Sequence, residues 1–498
     1  MKSSKPPSHS REHAPPRENS GRAIEMAVDE DVESRHRTRR ETRKLLNKID
    51  RHLLPLICVL YLLSCLDRSN LGNARRSGLG EDLKFTSKYD YNTAISIFFP
   101  FYLAVQIPSN LALHRLRPSL WIPSLMVAWS LVTVLLGFVR NFAGLLAMRC
   151  LLGVVEGGVF PGLVFYLTRW YSRYEYGLRI SIFFAVAVAG GSMNGFLGDA
   201  IVGMRGVGGL NSWSWIFIIE GLVTLCVSGI AFAMMHDYPD RARFLTHSER
   251  RAVMSRLEED ANCLSDRFEL VYVKHALLDW KIWVHMVMTV GICVPVYSIG
   301  EFLPVIIQDL GYSGDGALLM ALPPHAASAL LTLGAGLAAD RFRQRGVFII
   351  GLCVLAMIGF AILSSAQSHA VKYMACFLVV MGIHPIVPQD VAWNANNIGG
   401  STKRAVGIAM HIGFGNLGGA LAGFIIRQDD ARRLVSGHGI LLLITAASCM
   451  LAAFMTWYLR RENSRRDRLC KRQDSYTREE KMAGAEKGDR APFFRYTV

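Results

Sequence analysis

Long apolar segments recur along nearly the whole chain and constrain its fold more than any other feature. Spanning the hydrocarbon core of a bilayer takes about 20 mostly apolar residues, because every backbone polar group must be satisfied within the segment. Twelve such segments occur, at residues 53–73, 92–113, 120–139, 142–168, 180–202, 213–235, 281–308, 316–339, 347–365, 371–393, 405–426 and 440–459. The pattern predicts an all-α membrane protein with twelve transmembrane helices.

A long polar stretch divides the apolar segments into two groups of six. It covers residues 236–279, and its charged sequence at 248–260 indicates a short helix outside the membrane. We expect five regions, namely a tail at 1–52, a six-helix half at 53–235, a linker at 236–279, a second half at 280–459 and a tail at 460–498. This order resembles the major facilitator fold, in which two six-helix halves are related by an axis along the membrane normal.

Basic residues are concentrated at the two ends of the chain, whose net charge is +15. Both ends are also rich in Ser, Pro, Glu and Asp, so we expect disordered tails. The positive-inside rule places both tails and the linker in the cytoplasm, because Lys and Arg are then more frequent in the internal loops. A basic chain also suits nucleic acid, but no zinc-finger, RNP or helix-turn-helix pattern occurs, so no nucleic-acid partner is expected.

The ten cysteines predict neither disulfides nor a metal site. Most stand singly in apolar segments without the spacing of metal ligands, and we interpret them as small buried hydrophobes. No Gly-x-x-x-x-Gly-Lys-[Ser/Thr] loop occurs, so the protein should need no ATP, and no other cofactor is expected. No catalytic signature lies on paired helices, so an enzyme is not expected either.

Two opposite charges, Asp67 and Arg68, lie within the first apolar segment, in a polar run that continues to Asn70. An ionised side chain at the centre of a bilayer costs about 2.5 kcal/mol or more and tends to mark a transport path. The alternative is an ion pair at the helix end that reaches the membrane interface. We favour a functional pair.

The fourth apolar segment carries a second set of charges beside small residues. Arg149 and Glu156 are seven residues apart and share a helix face, while Gly153 and Gly157 let another helix approach closely. The depth inferred for Arg149 matches that of the charged pair in the first segment, so we expect one shared cavity. The alternative for Glu156 is a permanent salt bridge without a transport role.

Such a cavity suits an organic anion. Arginine offers a permanently charged planar fork that matches a carboxylate, whereas a desolvated Asp or Glu takes up a proton. We predict that Arg68, Asn70 and Arg149 bind the anion. Asp67 and Glu156 are the candidates for proton coupling.

The end of the eighth segment combines an acidic residue, Asp340, with a basic turn that includes Arg341 and Arg345. We predict a cytoplasmic latch that breaks and re-forms during transport, with Gly153 and Gly157 as further gating positions. The alternative is simple positive-inside charge. Other intramembrane polar residues either line the path or make structural hydrogen bonds, namely Asn194, Asp199, Glu301, His384, Gln389 and Asp390. The glycine-rich run at 413–419, which includes Asn416, is interpreted as helix packing.

Several motifs together resemble the fungal anion:cation symporters of the major facilitator superfamily, in particular the allantoate permease group and its nicotinic acid transporter-like members. They are Leu66-Asp-Arg-Ser-Asn-Leu-Gly-Asn-Ala74, Gln106-Ile-Pro-Ser-Asn110, Arg117-Pro-Ser-Leu-Trp-Ile-Pro123, Arg149 to Gly162, Phe217-Ile-Ile-Glu-Gly221, Phe302-Leu-Pro304, Leu322-Pro-Pro324 and Thr402-Lys-Arg-Ala405 leading to Gly415-Asn416. The resemblance implies proton coupling through Asp67 and Glu156 and a substrate carboxylate on Arg68. The sequence departs from the family pattern at Ser214, Glu301, His325 and Asp199, which leaves the substrate open.

The sequence therefore predicts a transporter that imports a small carboxylate with a proton. A nicotinate-like substrate is favoured, and allantoate, pantothenate, biotin and sugar acids remain rivals. A nutrient sensor that does not transport is a further alternative. We expect a multi-pass monomer, with the plasma membrane as the default location.

Overall fold

The computed structural model describes residues 17–87, 89–192, 195, 201, 203–261, 264, 268–312, 315–425, 431–470 and 476–498. Within these ranges, the side chains of 17–39, 301–302, 315, 423–425, 431–436 and 478 are outside the description. Every regular element in the described ranges is helical. The α-helices are α1 (Arg17–Arg76), α2 (Leu79–Asp82), α3 (Asp90–Ser96), α4 (Phe98–Arg115), α5 (Pro118–Leu136), α6 (Phe142–Glu156), α7 (Val159–Thr168), α8 (Tyr176–Gly191), α9 (Ser212–Met234), α10 (His247–Ala261), α11 (Leu270–Leu277), α12 (Trp280–Gln308), α13 (Asp315–Phe342), α14 (Gly346–Ser365), α15 (His369–Asn396), α16 (Ser401–Ile425), α17 (Ala431–Leu469) and α18 (Arg478–Ala483).

Eleven helical stretches in the described part of the chain are long and apolar enough to cross a membrane. Two of them, Asp90–Arg115 and Phe142–Thr168, each combine two successive helices. The segment expected at 180–202 corresponds to the shorter apolar helix α8, and most of residues 193–202 fall outside the description. The all-α membrane fold is confirmed, and twelve spans are consistent with these helices.

Local sequence signals set where several spans begin. Pro118 occupies the first turn of α5, where a missing backbone N–H costs nothing. The side chain of Asn141 accepts a hydrogen bond from the N–H of Gly144 and caps α6. Asp279 caps α12 in the same way through the N–H of Lys281.

Glycines bring α6 into backbone contact with α4. A methyl group added at Gly153 would lie 2.5 Å from the carbonyl oxygen of Phe98, and one at Gly157 would lie 2.6 Å from that of Tyr102. Both distances are shorter than any normal carbon–oxygen contact, so only glycine permits this approach. The contact fixes Tyr102 beside the last turn of α6.

The two groups of spans meet along seams that pair α4 with α16 and α8 with α13. In the first seam the side-chain amide of Asn110 donates to the carbonyl of Ala405 at 3.0 Å. In the second, Gly336 lies directly against Ser181. Small and polar residues at both seams permit close packing where apolar burial gives little driving force in lipid.

The chain forms two compact units, Met1–Leu53 and Leu54–Val498. In the first unit the backbone is helical from Arg17 onward, whereas the composition predicts a disordered tail through residue 52. The region contains many Glu, Arg and Lys residues, which favour helix over coil.

The C-terminal tail is also more ordered than its composition predicts. Helix α17 continues to Leu469, and α18 begins with a capping box formed by Thr477 and Glu480. Beyond it, Phe493 and Phe494 are fully buried. Residues 476–498 thus make defined contacts in this structure, because two Phe residues supply apolar area that the tail's polar composition obscured.

Candidate functional site

Arg68 of α1 is held on one side by the helices of the first half. Its Nε donates to Oε1 of Glu156, the last residue of α6, at 2.9 Å. Its Nη2 donates to the hydroxyl of Tyr102 at 2.7 Å. Ser64 also donates to Oε1 of Glu156 at 3.0 Å. Glu156 is only 1% exposed, so its negative charge is balanced by Arg68 inside the bundle.

The other side of Arg68 faces the second half. Its Nη1 donates to Oδ1 of Asn416 on α16 at 3.1 Å and to the hydroxyl of Tyr297 on α12 at 3.3 Å. Tyr297 in turn donates to the same oxygen of Asn416 at 2.7 Å. We call Arg68, Tyr102, Glu156, Tyr297 and Asn416 the Arg68 cluster. One guanidinium thus bridges the two halves.

The neighbours of Arg68 differ in how firmly they bind it. Glu156 carries the charge opposite to that of the guanidinium, whereas Tyr297 and Asn416 are neutral acceptors. The Arg68 side chain is 19% exposed, whereas Glu156 is 1% exposed. A carboxylate can replace the two neutral acceptors on Nη1, and it forms a bidentate pair with the guanidinium if it also displaces Tyr102 from Nη2.

Asp67 lies next to Arg68 in the chain but belongs to a separate network. The indole Nε1 of Trp129 donates to its Oδ2, and Thr133 of α5 donates to the same oxygen at 3.1 Å. The side-chain amide of Asn70 donates to Oδ1 at 3.3 Å. Asn70, predicted to contact the anion, therefore orients Asp67 in this structure.

Arg149 is buried at the edge of the site. Its Nε donates to the backbone carbonyl of Ala94 at 3.2 Å, and its guanidinium lies 5.0 Å from the ring centre of Phe98. It remains close enough to Asp67 and Glu156 for their charges to interact. The side chain nevertheless bonds to α3 and does not join the Arg68 cluster, in contrast to the single shared cavity expected from the sequence.

At one end of the bundle, Asp340 and Arg345 form an ion pair at 2.5 Å. Oδ2 of Asp340 also accepts from the N–H of Leu178 in α8 at 2.7 Å, and Nη2 of Arg345 donates to the carbonyl of Arg173 at 3.2 Å. Both of these partners belong to the first half, so the pair joins the halves. Arg341, at the end of α13, is exposed.

Residues 489–498, which we call the C-terminal strap, lie against this ion pair. The N–H of Arg345 donates to the carbonyl of Val498 at 2.6 Å. Trp393 of the second half donates to the carbonyl of Thr497 at 2.8 Å. From the first half, Nη1 of Arg173 donates to the carbonyl of Arg495 at 3.3 Å. The strap therefore touches both halves.

An ion network anchors the start of the strap. Asp489 accepts from Lys403 at 2.5 Å and also pairs with Lys281. Burial alone would raise the pKa of Asp489, but the two ammonium groups outweigh it and lower the pKa to about 2. The anchor therefore stays charged at every physiological pH.

The other predicted polar residues have different fates. Asn194, Asp199 and the side chain of Glu301 lie outside the described residues. His384 bonds to the carbonyl of Val380 at 3.0 Å, as a structural hydrogen bond would. Gln389 accepts from Arg345 and so belongs to the latch region, while Asp390 contacts two histidines.

The sequence did not point to Tyr102, to Tyr297 or to the contact of Asn416 with Arg68. Tyrosines in apolar spans are common, so only their distance to Arg68 selects these two. Glu220 on α9 was also missed as a candidate, although it is part of a recognised motif. Both of its carboxylate oxygens are buried, and neither has a hydrogen-bond partner among the described residues. An acidic residue within a span is a signal that the sequence does contain.

Known proteins share this fold and much of this sequence. The chain matches the model of the Major Facilitator Superfamily over residues 57–423. An uncharacterized transporter of Schizosaccharomyces pombe is 33% identical over 440 residues, which cover 88% of this chain and 87% of that protein. The MFS-type transporter cnsO of Penicillium expansum is 32% identical over 474 residues, which cover 92% and 90%.

A solved structure shows the same architecture at low sequence identity. The proton:xylose symporter XylE, bound to 6-bromo-6-deoxy-D-glucose, aligns with a TM-score of 0.59 at 14% identity, over 81% of this chain and 95% of that one. The likeness concerns the fold alone. Together with the family match over most of the chain, it identifies this protein as a member of the Major Facilitator Superfamily and a membrane transporter, not an enzyme.

Proposed function

We propose that this protein imports a small organic anion together with a proton, with a nicotinate-like carboxylate as the favoured substrate. The observation that carries the proposal is the Arg68 cluster. A permanently charged fork lies between the two halves, partly exposed, with neutral acceptors that a carboxylate can replace. The motifs shared with fungal anion:cation symporters support the same substrate class.

The geometry suggests how a proton is coupled to the anion. Glu156 and the substrate carboxylate compete for one guanidinium. With Glu156 ionised, a bound anion would leave one net negative charge in a low-dielectric site, which is costly. Protonation of Glu156 releases Arg68 and makes the loaded site neutral. Uptake of the anion then requires uptake of a proton.

Asp67 and Glu220 are the alternative proton-binding residues. Asp67 accepts three hydrogen bonds, which stabilise its ionised form. Glu220 has none among the described residues and interacts electrostatically with Asp67. A proton leaving Glu156 would have these two carboxyl groups as the next acceptors on the first half.

Alternating access requires the contacts between the halves to open on one side at a time. The pair of Asp340 and Arg345 is our candidate latch for the cytoplasmic side, and the C-terminal strap reinforces it. Arg341 is assigned a weaker role as a surface charge near the latch. Gly153 and Gly157 would let α6 and α4 move as one body around Tyr102.

Uptake of labelled anions tests the proposal directly. Cells expressing the chain are given nicotinate, allantoate, pantothenate, biotin and a sugar acid at external pH 5 and pH 7.5, with and without a protonophore. Accumulation of one anion that is faster at pH 5 and abolished by the protonophore is expected. Equal uptake at the two pH values would overturn the proposed proton coupling. No uptake of any of these anions would favour another substrate or a sensor that does not transport.

The same cells test the membrane location and the oligomeric state of the protein. We propose a monomer in the plasma membrane, with lipid, a proton and a small anion as its partners and no nucleic acid. Surface biotinylation should label the chain in intact cells, and crosslinking in membranes should give a single-chain band. An internal membrane pool without surface labelling would overturn the location.

A further inference from the structure

A second group of buried ionisable side chains lies in the second half, outside the Arg68 cluster. His285 of α12, Asp390 of α15 and His411 of α16 come from three different helices and are at most 2% exposed. One ligand atom from each lies within 4.8 Å of the other two. The group cannot be recognised from the sequence, because its members are 105 and 21 residues apart in the chain.

Two separations within this group match those of atoms that share an ion. Nδ1 of His285 lies 3.4 Å from Oδ1 of Asp390, and Nε2 of His411 lies 3.3 Å from Oδ2. A charge-assisted hydrogen bond between an imidazolium and a carboxylate would be about 2.7–2.9 Å long. Two ligands at about 2.1 Å from a tetrahedral ion lie about 3.4 Å apart.

A fourth candidate ligand atom, a hydroxyl oxygen, lies against the same group. The hydroxyl of Thr289, one turn beyond His285, is 2.5 Å from Oδ2 of Asp390 and 3.1 Å from Nε2 of His411. In addition, Nε2 of His285 is buried and has no hydrogen-bond partner among the described residues. A buried imidazole nitrogen without a partner is costly, and a bound ion would remove that cost if the ring turned to present Nε2 to it.

We propose that His285, Asp390 and His411 bind one divalent first-row transition metal ion, with Zn²⁺ as the best match. Two imidazoles and one carboxylate are a ligand set that Zn²⁺ favours, and three protein ligands leave a fourth position open. The ionised carboxylate supplies the negative charge that attracts a cation into the bundle. A small cavity of about 10 Å³, lined by Asp279, Lys281 and His285, lies between the group and the end of the bundle near the strap.

This site is independent of the anion proposal, and its test needs no transport. The full-length chain is purified in detergent, stripped of metal and titrated with Zn²⁺ in equilibrium dialysis and with Co²⁺ by absorption spectroscopy. Binding of a single Zn²⁺ ion to each chain is expected, and bound Co²⁺ should give the intense visible bands of tetrahedral coordination.

Three ligand variants and one control locate the site. His411→Ala and Asp390→Asn each remove a ligand and should weaken Zn²⁺ binding at least as much as the loss of a residue that only orients a ligand, about 10–100-fold. His438→Ala removes a buried histidine of α17 that lies outside the group and should bind as the parent does. His285→Ala removes the third ligand, and its Zn²⁺ affinity replaces the missing measurement if either of the other ligand variants fails to elute as a folded monomer.

Two results would overturn the proposal. The first is a stripped parent chain that binds neither Zn²⁺ nor Co²⁺, which would assign the group to a shared proton instead. The second is Zn²⁺ binding by the three ligand variants as tight as that of the parent, which would place the metal elsewhere.

Discussion

Replacing Gly153 with alanine tests whether the backbone contact between α6 and α4 holds the anion site in shape. The new methyl group would lie 2.5 Å from the carbonyl oxygen of Phe98 and 3.1 Å from the backbone nitrogen of Tyr102. Ordinary carbon–oxygen contacts are about 3.3–3.6 Å long, so the helices must separate by about 1 Å. Overpacking of this kind costs about 1–3 kcal/mol.

The same displacement reaches the site through Tyr102. Its hydroxyl accepts from Arg68 at 2.7 Å, and a shift of about 1 Å would take that pair beyond hydrogen-bond range. We therefore expect Gly153→Ala to lower the free energy of unfolding and also to raise the KM for the anion. Thermal unfolding in detergent measures the first effect, and uptake kinetics measure the second.

Gly351 of α14 offers the matched control. A methyl group there meets nothing within 4 Å, so Gly351→Ala should be neutral or slightly stabilising, since alanine favours helix. Equal melting temperatures for the two variants, with an unchanged KM for Gly153→Ala, would refute the claim that this contact shapes the site.

Three further substitutions probe the charges. Arg68→Ala should abolish uptake while the amount of protein at the cell surface stays normal. Arg140→Ala removes an exposed arginine and should leave uptake unchanged. Normal uptake by Arg68→Ala would remove Arg68 from the site. Glu156→Gln should leave anion uptake with the same rate at pH 5 and pH 7.5, and surviving acid-driven accumulation would move the coupling role to Asp67. Asp489→Asn should destabilise the chain by about 2 kcal/mol, and by the same amount at pH 5 and pH 7.5. The reason is that the lowered pKa of Asp489 gives stability that is present above about pH 4 and is lost only as the pH falls towards 2. A loss in thermal unfolding that is confined to one of these pH values would contradict that assignment.

The spans and the charged positions of the site could be predicted because both depend on the cost of polarity in lipid. Apolar runs of sufficient length have few alternatives to a membrane helix. Arg68 and Glu156 are expensive in isolation and so mark the site, but the sequence favours Asp67 as the partner of Arg68, whereas the structure places Glu156 2.9 Å from it. The same cost explains why Asp340, buried at the end of its helix, pairs with Arg345.

Side-chain direction and distant partners could not be predicted. Arg149 is buried as its place in the span requires, but only the position of Ala94 explains why it turns away from the cluster. The partners of Tyr297, His285 and His411 lie on helices that are far away in the chain, so the sequence does not indicate these contacts. The strap was missed for another reason, since two buried Phe residues outweigh a polar composition only when the folded bundle offers a surface that accepts them.

The pairing of Arg68 with Glu156 also determines what an unloaded carrier can do. Without substrate, Glu156 acts as the counterion of Arg68, and Tyr102, Tyr297 and Asn416 accept from its other nitrogens. The vacant site therefore has no net charge to move through the membrane voltage. On the proposed function, such a carrier returns empty without an electrical penalty, so it should accumulate its anion one way instead of exchanging it for another.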